Sequence, residues 1–192
     1  MSRRNEFKPD KPYSNWLSRL MPTRRQRKTL LKWLLYLLVL LVLTRLQDVL
    51  LSRLRRLGAA AELGPCAIFL FCLIEGTESG SLFALITSLL YVFSGSAPGL
   101  YSMVLITVVA ILVTVFRQAY LQKGFGAAMF CAALAMVLYE MLTFLVGMAL
   151  GLTYWGRVTG FLITAALSLI AAPVLYPIGL SIGAIGGEIW NE

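Results

Sequence analysis

From Leu34 onward, long apolar segments follow one another with only short polar breaks between them. The chain is 59% hydrophobic and 14% charged, with a mean hydropathy of +0.80, whereas soluble domains average about 45–50% apolar and about 25% charged residues. A chain of 192 residues cannot hide that excess in one core, so lipid is the expected solvent. The segments lack the alternation of barrel strands, so backbone groups in lipid must be satisfied within helices. We therefore predict an all-α, polytopic integral membrane helix bundle.

Six apolar segments are predicted to cross the membrane as helices, and five crossings are the alternative. They cover approximately residues 30–46, 64–74, 82–93, 99–116, 125–150 and 158 onward. The stretch 64–93 is too long for one span and has a turn-like middle, so its two segments are expected to form a hairpin.

The positive charge is concentrated at the N-terminus. Residues 1–32 hold ten Lys and Arg against two acidic residues, which accounts for the whole net charge of +8. Basic residues that flank a first span stay in the cytoplasm and attract anionic lipid, so the N-terminus is expected to be cytoplasmic. Arg53, Arg55 and Arg56 follow the first span and oppose this orientation, but the larger N-terminal charge should dominate.

Two parts of the chain are distinguished by composition. Residues 1–29 are expected to be a basic cytoplasmic tail that contains a short interfacial helix at 14–21, and residues 30–192 are expected to be the transmembrane helical domain. Nucleic acid is the rival partner of a basic tail. We expect the lipid bilayer and not nucleic acid, because basic flanks commonly accompany membrane spans.

The sequence carries no motif typical of catalysis or metal binding. There is no histidine, which excludes histidine triads and histidine-based metal centres, and no Gly-rich phosphate loop with its Lys-Ser or Lys-Thr pair. Cys66, Cys72 and Cys131 lie in apolar segments without a Cys-x-x-Cys pair, so we expect buried thiols that act as small apolar residues. We expect no enzymatic activity, no catalytic residue, no metal and no cofactor.

Glu140, which follows Tyr139, is the acidic residue expected deepest inside a span. A charge at that depth costs at least about 2.5–3.5 kcal/mol, so the carboxyl must be protonated, paired or turned toward protein. Two interpretations stay open: a contact to a partner helix or a polar cavity, and a structural bond within this chain. Arg117, at the end of a span, is the candidate counter-charge.

Glu75 and Glu78 stand in the polar break between the second and third segments. They are three positions apart and would share one face if the break were helical, where they would bind a cation or a basic segment. The favoured alternative is that both are solvated turn residues that stop the span at the membrane surface.

Glycine and proline spacings predict two further features. Gly147 and Gly151 are four positions apart near the end of the fifth segment, and small residues at that spacing let helices approach closely. They are therefore a candidate packing seam. Pro173 and Pro177 remove two backbone donors from one face of the last segment, so they are expected to kink that helix.

Short motifs recur along the spans in a recognisable order. After the Leu-rich first segment come a Gly-Pro opening, a Glu-Gly-x-Glu-x-Gly break, a Ser-Gly-x-x-x-Gly turn, a Tyr-Glu pair and a last segment with two prolines and a tyrosine. The residues are Gly64, Pro65, Glu75, Gly76, Glu78, Gly80, Ser94, Gly95, Gly99, Tyr139, Glu140, Pro173, Tyr176 and Pro177. Over roughly residues 30–180, this order resembles the MreD family of bacterial rod shape-determining membrane proteins. Tyr91 departs from the family, which often has an acidic residue there.

The resemblance implies a non-enzymatic scaffold of the cell-elongation machinery, the elongasome, which sets cell shape through peptidoglycan synthesis at the bacterial cytoplasmic membrane. Such proteins associate with a single-span partner, MreC, and through it with the actin-like MreB filament and the peptidoglycan synthases. The layout is also similar to the substrate-binding membrane subunits of energy-coupling-factor vitamin transporters, which is the alternative function. Those subunits typically carry small residues on the first span, and none lies between Leu34 and Leu43 here.

Overall fold

The computed structural model describes residues 24–51, 61–121 and 124–185. Within these ranges the chain forms six helices: α1 (Arg24–Leu46), α2 (Leu63–Glu75), α3 (Thr77–Phe93), α4 (Tyr101–Tyr120), α5 (Phe125–Ala149) and α6 (Val158–Ile185). A π-helical turn, Gln47–Leu51, extends α1, and a 3₁₀ turn, Trp155–Arg157, precedes α6. These ranges contain no strand, so the predicted all-α fold is confirmed.

Four helical segments are long and apolar enough to cross a membrane, namely Arg27–Val49, Tyr101–Tyr120, Phe125–Ala149 and Trp155–Ile185. They indicate a multi-pass membrane protein. Helices α2 and α3 are shorter, with 13 and 17 residues, which correspond to about 20 and 26 Å at about 1.5 Å per residue. The hydrocarbon core of a bilayer is roughly 30 Å thick. Six crossings would therefore include two helices that are shorter than a full span.

The two short helices form the predicted hairpin. A Cβ on Gly64, at the start of α2, would lie 2.7 Å from the ring of Tyr91 near the end of α3, and one on Gly80 would lie 2.8 Å from the Cys72 carbonyl oxygen. Only Gly76 separates the helices, and its φ of +89° is a conformation that favours glycine. The chain therefore reverses direction within a single residue.

Each helix runs opposite to the one before it. The contacts that show this are Lys32 with Glu75, Thr77 with Gln118, Ser88 with Thr107, Ser102 with Tyr139, Phe125 with Tyr176 and Phe144 with Phe161. We call the end of the bundle at which α1 begins the proximal end, and the opposite end the distal end.

Helix α2 lies at the centre of the bundle. Residues 64–73 are all buried, because α1, α3, α4, α5 and α6 all pack against this helix. A helix that is apolar on every face is stable only when it is surrounded, and α2 carries no charged side chain before Glu75. Its neighbours shield it from lipid, so a length below a full span is tolerated.

Gly147 and Gly151 do not form the predicted packing seam. Gly151 lies beyond the end of α5 with a φ of +71°. Its N–H donates to the Met148 carbonyl at 3.0 Å, and the Leu152 N–H donates to the Gly147 carbonyl at 2.8 Å. These two bonds are the Schellman arrangement, in which a left-handed glycine ends a helix. The pair therefore terminates α5, and a Cβ on Gly147 would meet only Thr153 of the following loop.

The close approach occurs instead at Gly179 and Gly183 of α6. A Cβ on Gly179 would lie 2.6 Å from Ile74 Cδ1, and one on Gly183 would lie 3.3 Å from the Tyr36 hydroxyl. The absence of side chains at these two positions lets α6 pack closely against α2 and α1, which is the use of small residues between membrane helices.

Helix α6 continues through both of its prolines. Pro173 and Pro177 have no N–H, so the helix loses two of its hydrogen bonds, and the Ser181 hydroxyl donates to the Pro177 carbonyl at 2.8 Å. The predicted kink stays a prediction, because a helix can bend at a proline and remain helical.

Helix α1 begins at Arg24, inside the segment predicted as the tail 1–29. The rest of that tail, including the expected interfacial helix at 14–21, lies outside the described residues, as do the arginines within 52–60. Cys66, Cys72 and Cys131 are buried and free, which confirms the prediction for them.

Candidate functional site

Polar side chains are buried at both ends of the bundle. At the proximal end, Lys32, Tyr36 and Glu75 form what we call the proximal clamp. Lys32 Nζ lies 2.5 Å from Glu75 Oε2, and the Tyr36 hydroxyl donates to Glu75 Oε1 at 2.7 Å and also lies 3.0 Å from the Gly179 carbonyl oxygen. The Lys32 and Glu75 side chains are only 7% and 5% exposed. A buried ion pair thus joins α1 to α2, and the contact between the Tyr36 hydroxyl and the Gly179 carbonyl joins α1 to α6.

The positions of the clamp residues follow from helix geometry. Lys32 and Tyr36 are four residues apart and therefore lie on one face of α1. Glu75 is the last residue of α2, where Gly76 ends the helix. Arg117 supports the same helix end, because its Nη1 donates to the Leu73 carbonyl at 2.5 Å. The last carbonyls of a helix lack helical partners, and a cation there is favourable.

The prediction of a solvated Glu75 is wrong, since its carboxylate binds Lys32 of its own chain. Glu75 ends α2 and Glu78 lies in the first turn of α3, so the non-helical Gly76 between them removes the shared face. Glu78 is exposed, as the favoured interpretation required. Glu75 therefore pairs with a basic side chain of its own chain, without the shared face that the first interpretation required, and Glu78 is the solvated residue of the two.

Arg117 is not the counter-charge of Glu140. Arg117 lies in the last turn of α4, near the proximal end, whereas Glu140 lies in the part of α5 that approaches the distal end. The two helices are antiparallel, so these side chains point to opposite ends of the bundle.

A second group of polar side chains with buried oxygens, which we call the distal acidic cluster, lies around Glu140. It consists of the half-buried Glu62 together with Ser102, Tyr139, Glu140 and Thr143. Thr143 is included because it follows Tyr139 by four residues and therefore shares its face of α5. Glu62 directly precedes α2, Ser102 lies in the first turn of α4, and the other three lie on α5. Glu62 interacts electrostatically with Glu140, and Tyr139 faces both Glu62 and Ser102. The cluster therefore brings together the distal ends of three helices.

Five oxygens of the distal acidic cluster, one from each residue, lack a hydrogen-bond partner in the described part of the chain. Glu62 Oε2, Ser102 Oγ, Tyr139 Oη, Glu140 Oε1 and Thr143 Oγ1 are buried without a hydrogen bond in the described part of the chain, because the Tyr139 contacts do not reach hydrogen-bond geometry. Ser102 and Tyr139 are 0% exposed and Glu140 is 1% exposed. Buried polar groups are normally hydrogen-bonded and buried charges are normally paired. The cluster is therefore chemically incomplete.

Burial raises the pKa of Glu62 from 4.5 to about 7, and the facing Tyr139 hydroxyl opposes the rise. The ionisable groups that face Glu62 are Tyr91 on α3, Tyr101 on α4, and Tyr139 and Glu140 on α5. All of them are acids, so ionisation of any of them disfavours a charged Glu62.

This pKa predicts that stability falls as pH rises from about 5 to 7. In that range the folded protein holds a proton that the unfolded chain releases, and the pKa difference corresponds to about 3 kcal/mol. We expect the thermal unfolding midpoint in detergent to fall through this range and to level off above about pH 8, and Glu62→Gln to flatten the profile. Glu78→Gln, which removes an exposed carboxylate, should leave the profile unchanged. An unaltered slope in Glu62→Gln would contradict the assignment.

The sequence pointed to part of both groups. Tyr139 and Glu140 stood out as a polar pair inside a span, and Glu75 stood out in a polar break. Lys32 and Tyr36 were missed because they have the appearance of an ordinary basic and aromatic flank of the first span. Glu62 stands between two apolar segments without a motif around it, and Ser102 and Thr143 are hydroxyl residues inside spans, where such side chains commonly hydrogen-bond to their own helix or a neighbour. No local sequence pattern distinguishes these residues from ordinary flanking, connecting or helix-bonding residues of a membrane protein.

The described residues contain no group of three or more His, Cys, Asp and Glu side chains that would hold a metal ion. Comparisons with protein-family models, with curated proteins and with solved structures found no match. The two buried polar groups therefore have to be interpreted from their own chemistry.

Proposed function

We propose that this protein is a non-enzymatic membrane scaffold of the bacterial cell-elongation machinery. In this proposal it binds a single-span MreC-like partner through helix faces, and through that partner it connects to an MreB-like filament and to peptidoglycan synthases. One observation carries the proposal: residues of the MreD-like motifs lie at the points that hold the bundle together. Gly76 and Gly80 form the α2–α3 hairpin, Glu75 anchors the proximal clamp, and Glu140 lies in the distal acidic cluster.

The proposal includes an orientation in the cytoplasmic membrane. The ten basic residues of 1–32 favour a cytoplasmic proximal end by the positive-inside rule, and with alternating helices the distal end would then face outside. Six crossings follow if the α2–α3 hairpin traverses the membrane inside the bundle. Reporter fusions or cysteine labelling at residue 192 should locate the C-terminus in the cytoplasm, and an external C-terminus would contradict the orientation.

The long helices offer surfaces for lipid and for a partner helix. On α1, Leu30, Leu34, Leu38 and Leu41 are 50–61% exposed along one face. The described loops between the helices are short, from one residue at Gly76 to seven residues after α3 and eight after α5, three of which form the 3₁₀ turn. Because the described loops are short, the helix faces and the basic tail are the surfaces that this proposal assigns to a partner, which suits a scaffold that assembles within the membrane.

The proposal predicts a stoichiometric complex with a single-span coiled-coil protein. We expect that a tagged chain purified in mild detergent retains such a protein when the two are co-expressed, and that depletion of the chain makes rod-shaped cells round. The scaffold proposal would be overturned if rod-shaped cells keep their shape after depletion of the chain and the complex does not form.

A second candidate is the substrate-binding membrane subunit of an energy-coupling-factor type vitamin transporter. The observation that favours it is the distal acidic cluster, because unpartnered buried polar atoms commonly mark a ligand site. The absence of Gly, Ala and Ser between Leu34 and Leu43 counts against it. Mass spectrometry of the purified protein separates the two candidates, since a stoichiometric vitamin-like molecule would favour the transporter subunit.

A further inference from the structure

We propose that the distal acidic cluster binds a small monovalent cation, either an alkali metal ion or the primary ammonium group of a small amine. The site would consist of the carboxylates of Glu62 and Glu140 and the hydroxyls of Ser102, Tyr139 and Thr143. The inference depends on neither of the two candidate functions, because the same oxygens are buried and unpartnered in both cases.

The chemistry of the cluster selects a cation. It contains two carboxylates and three hydroxyls, and a carboxylate is an acceptor only, while a hydroxyl oxygen also accepts. In the described part of the chain, no basic side chain forms an ion pair with Glu62 or Glu140, since Lys32 pairs with Glu75 at the other end of the bundle. Oxygen ligands suit hard metal ions, and an ammonium group donates three hydrogen bonds to such acceptors.

The α2 N-terminus does not convert the cluster into an anion site. A helix N-terminus favours anions through its free N–H groups, but two of the nearest N–H groups here are already bonded. The Glu62 N–H donates to Ser168 Oγ at 2.6 Å, and the Gly64 N–H donates to Gln47 Oε1 at 3.2 Å. The third helical residue is Pro65, which has no N–H. The two carboxylates therefore dominate the electrostatics.

Burial and ligand number limit the size and charge of the occupant. Ser102, Tyr139 and Glu140 are at most 1% exposed, so the long basic side chain of another protein would have to displace packed helices to reach them. Among the described residues, the two glutamates have no third acidic, histidine or cysteine ligand beside them. A small monovalent ion satisfies the unpartnered oxygens with the least disturbance of the bundle.

The test is a salt titration of thermal unfolding for the purified full-length protein in detergent at about pH 8, where Glu62 is largely ionised. Sodium, potassium, lithium and methylammonium chlorides are compared with N-methylglucamine chloride at equal ionic strength. We expect at least one small cation to raise the unfolding midpoint saturably, by about 5–11 °C at a concentration of about 100 times its Kd. A response to metal ions alone identifies the alkali ion, and a response to methylammonium alone identifies the ammonium group.

Substitutions test whether the cation response arises from the distal acidic cluster. Glu62→Gln and Glu140→Gln should each reduce the cation-dependent rise at least several-fold. Glu78→Gln, which removes an exposed carboxylate at the proximal end, should keep the full rise. If Glu140→Gln does not fold, Glu62→Gln and the wild-type titration decide the matter.

Three results would overturn the proposal. The first is that no small cation exceeds N-methylglucamine, either in the wild type or after replacement of Arg53, Arg55 and Arg56 by Gln, in which case the two glutamates share a proton instead. The second is that Glu78→Gln loses the rise as fully as the cluster variants. The third is a response that is missing in the wild type and appears when Arg53, Arg55 and Arg56 are replaced by Gln, since those arginines would then be the counter-charges.

Discussion

Replacement of Lys32 by Met is expected to lower the free energy of unfolding by about 3–5 kcal/mol. Methionine keeps the apolar stem of lysine but removes the ammonium group. The Glu75 carboxylate, whose side chain is 5% exposed, would then be left buried, with the Tyr36 hydroxyl as its remaining side-chain partner among the described residues. An uncompensated buried charge costs far more than the intact ion pair contributes, so the single change has a large effect. Equilibrium unfolding in mixed detergent micelles measures it.

Two further variants test whether the destabilisation comes from leaving the Glu75 carboxylate unpaired or from removing a positive charge from α1. The double variant Lys32→Met, Glu75→Gln removes both charges, so we expect it to be more stable than Lys32→Met alone, as a double-mutant cycle would show. Lys28→Met removes an exposed lysine one turn earlier on the same helix and should change stability by about 0.5 kcal/mol or less. If Lys32→Met costs no more than Lys28→Met, the proximal clamp does not stabilise the fold.

Gly80→Ala is also expected to destabilise the protein strongly, lowering the free energy of unfolding by about 1–3 kcal/mol or more. The added methyl would lie 2.8 Å from the Cys72 carbonyl oxygen, 3.1 Å from its Cα and 3.3 Å from its carbonyl carbon. These are backbone atoms of the central helix, so no side chain can rotate away, and α2 and α3 must separate. Alanine favours a helix over glycine by about 1 kcal/mol. A net loss of stability in this variant would therefore come from the tight packing of α2 against α3.

Gly126→Ala is the matched control for Gly80→Ala. Gly126 lies near the start of α5, and a Cβ there meets no atom within 4 Å. We expect this variant to unfold at the wild-type temperature or slightly above it, because only the helix propensity changes. Equal stability of the two alanine variants would show that the hairpin is looser than the distance between Gly80 and Cys72 indicates.

Segment positions were well predicted because they depend on neighbouring residues along the chain. The predicted segments 99–116 and 125–150 correspond to α4 and α5 within a few residues, since apolar length and Gly or Pro punctuation are local signals. The turn-like break at Gly76 was also a local signal, and it correctly indicated the hairpin. The solvated state of Glu75 was inferred from that same break and was wrong, because its counter-charge comes from another helix.

Glycine pairs show the limit of such signals most clearly. Gly147 with Gly151 and Gly179 with Gly183 have the same spacing, yet the first pair caps a helix and the second pair packs against α2 and Tyr36. Spacing alone describes the surface that a helix offers. Whether a second helix lies against that surface depends on the arrangement of the whole bundle.

Local composition was enough to predict a lipid environment and the helices, because transfer into lipid is a sum over residues and helical hydrogen bonds are made within each segment. Which polar groups meet could be seen only in the folded bundle. Tyr36 reaches Glu75 across 39 positions, and the Glu62 N–H reaches Ser168 across 106. Such pairings depend on the register and direction of packed helices, which many distant contacts set together and no single stretch of the chain encodes.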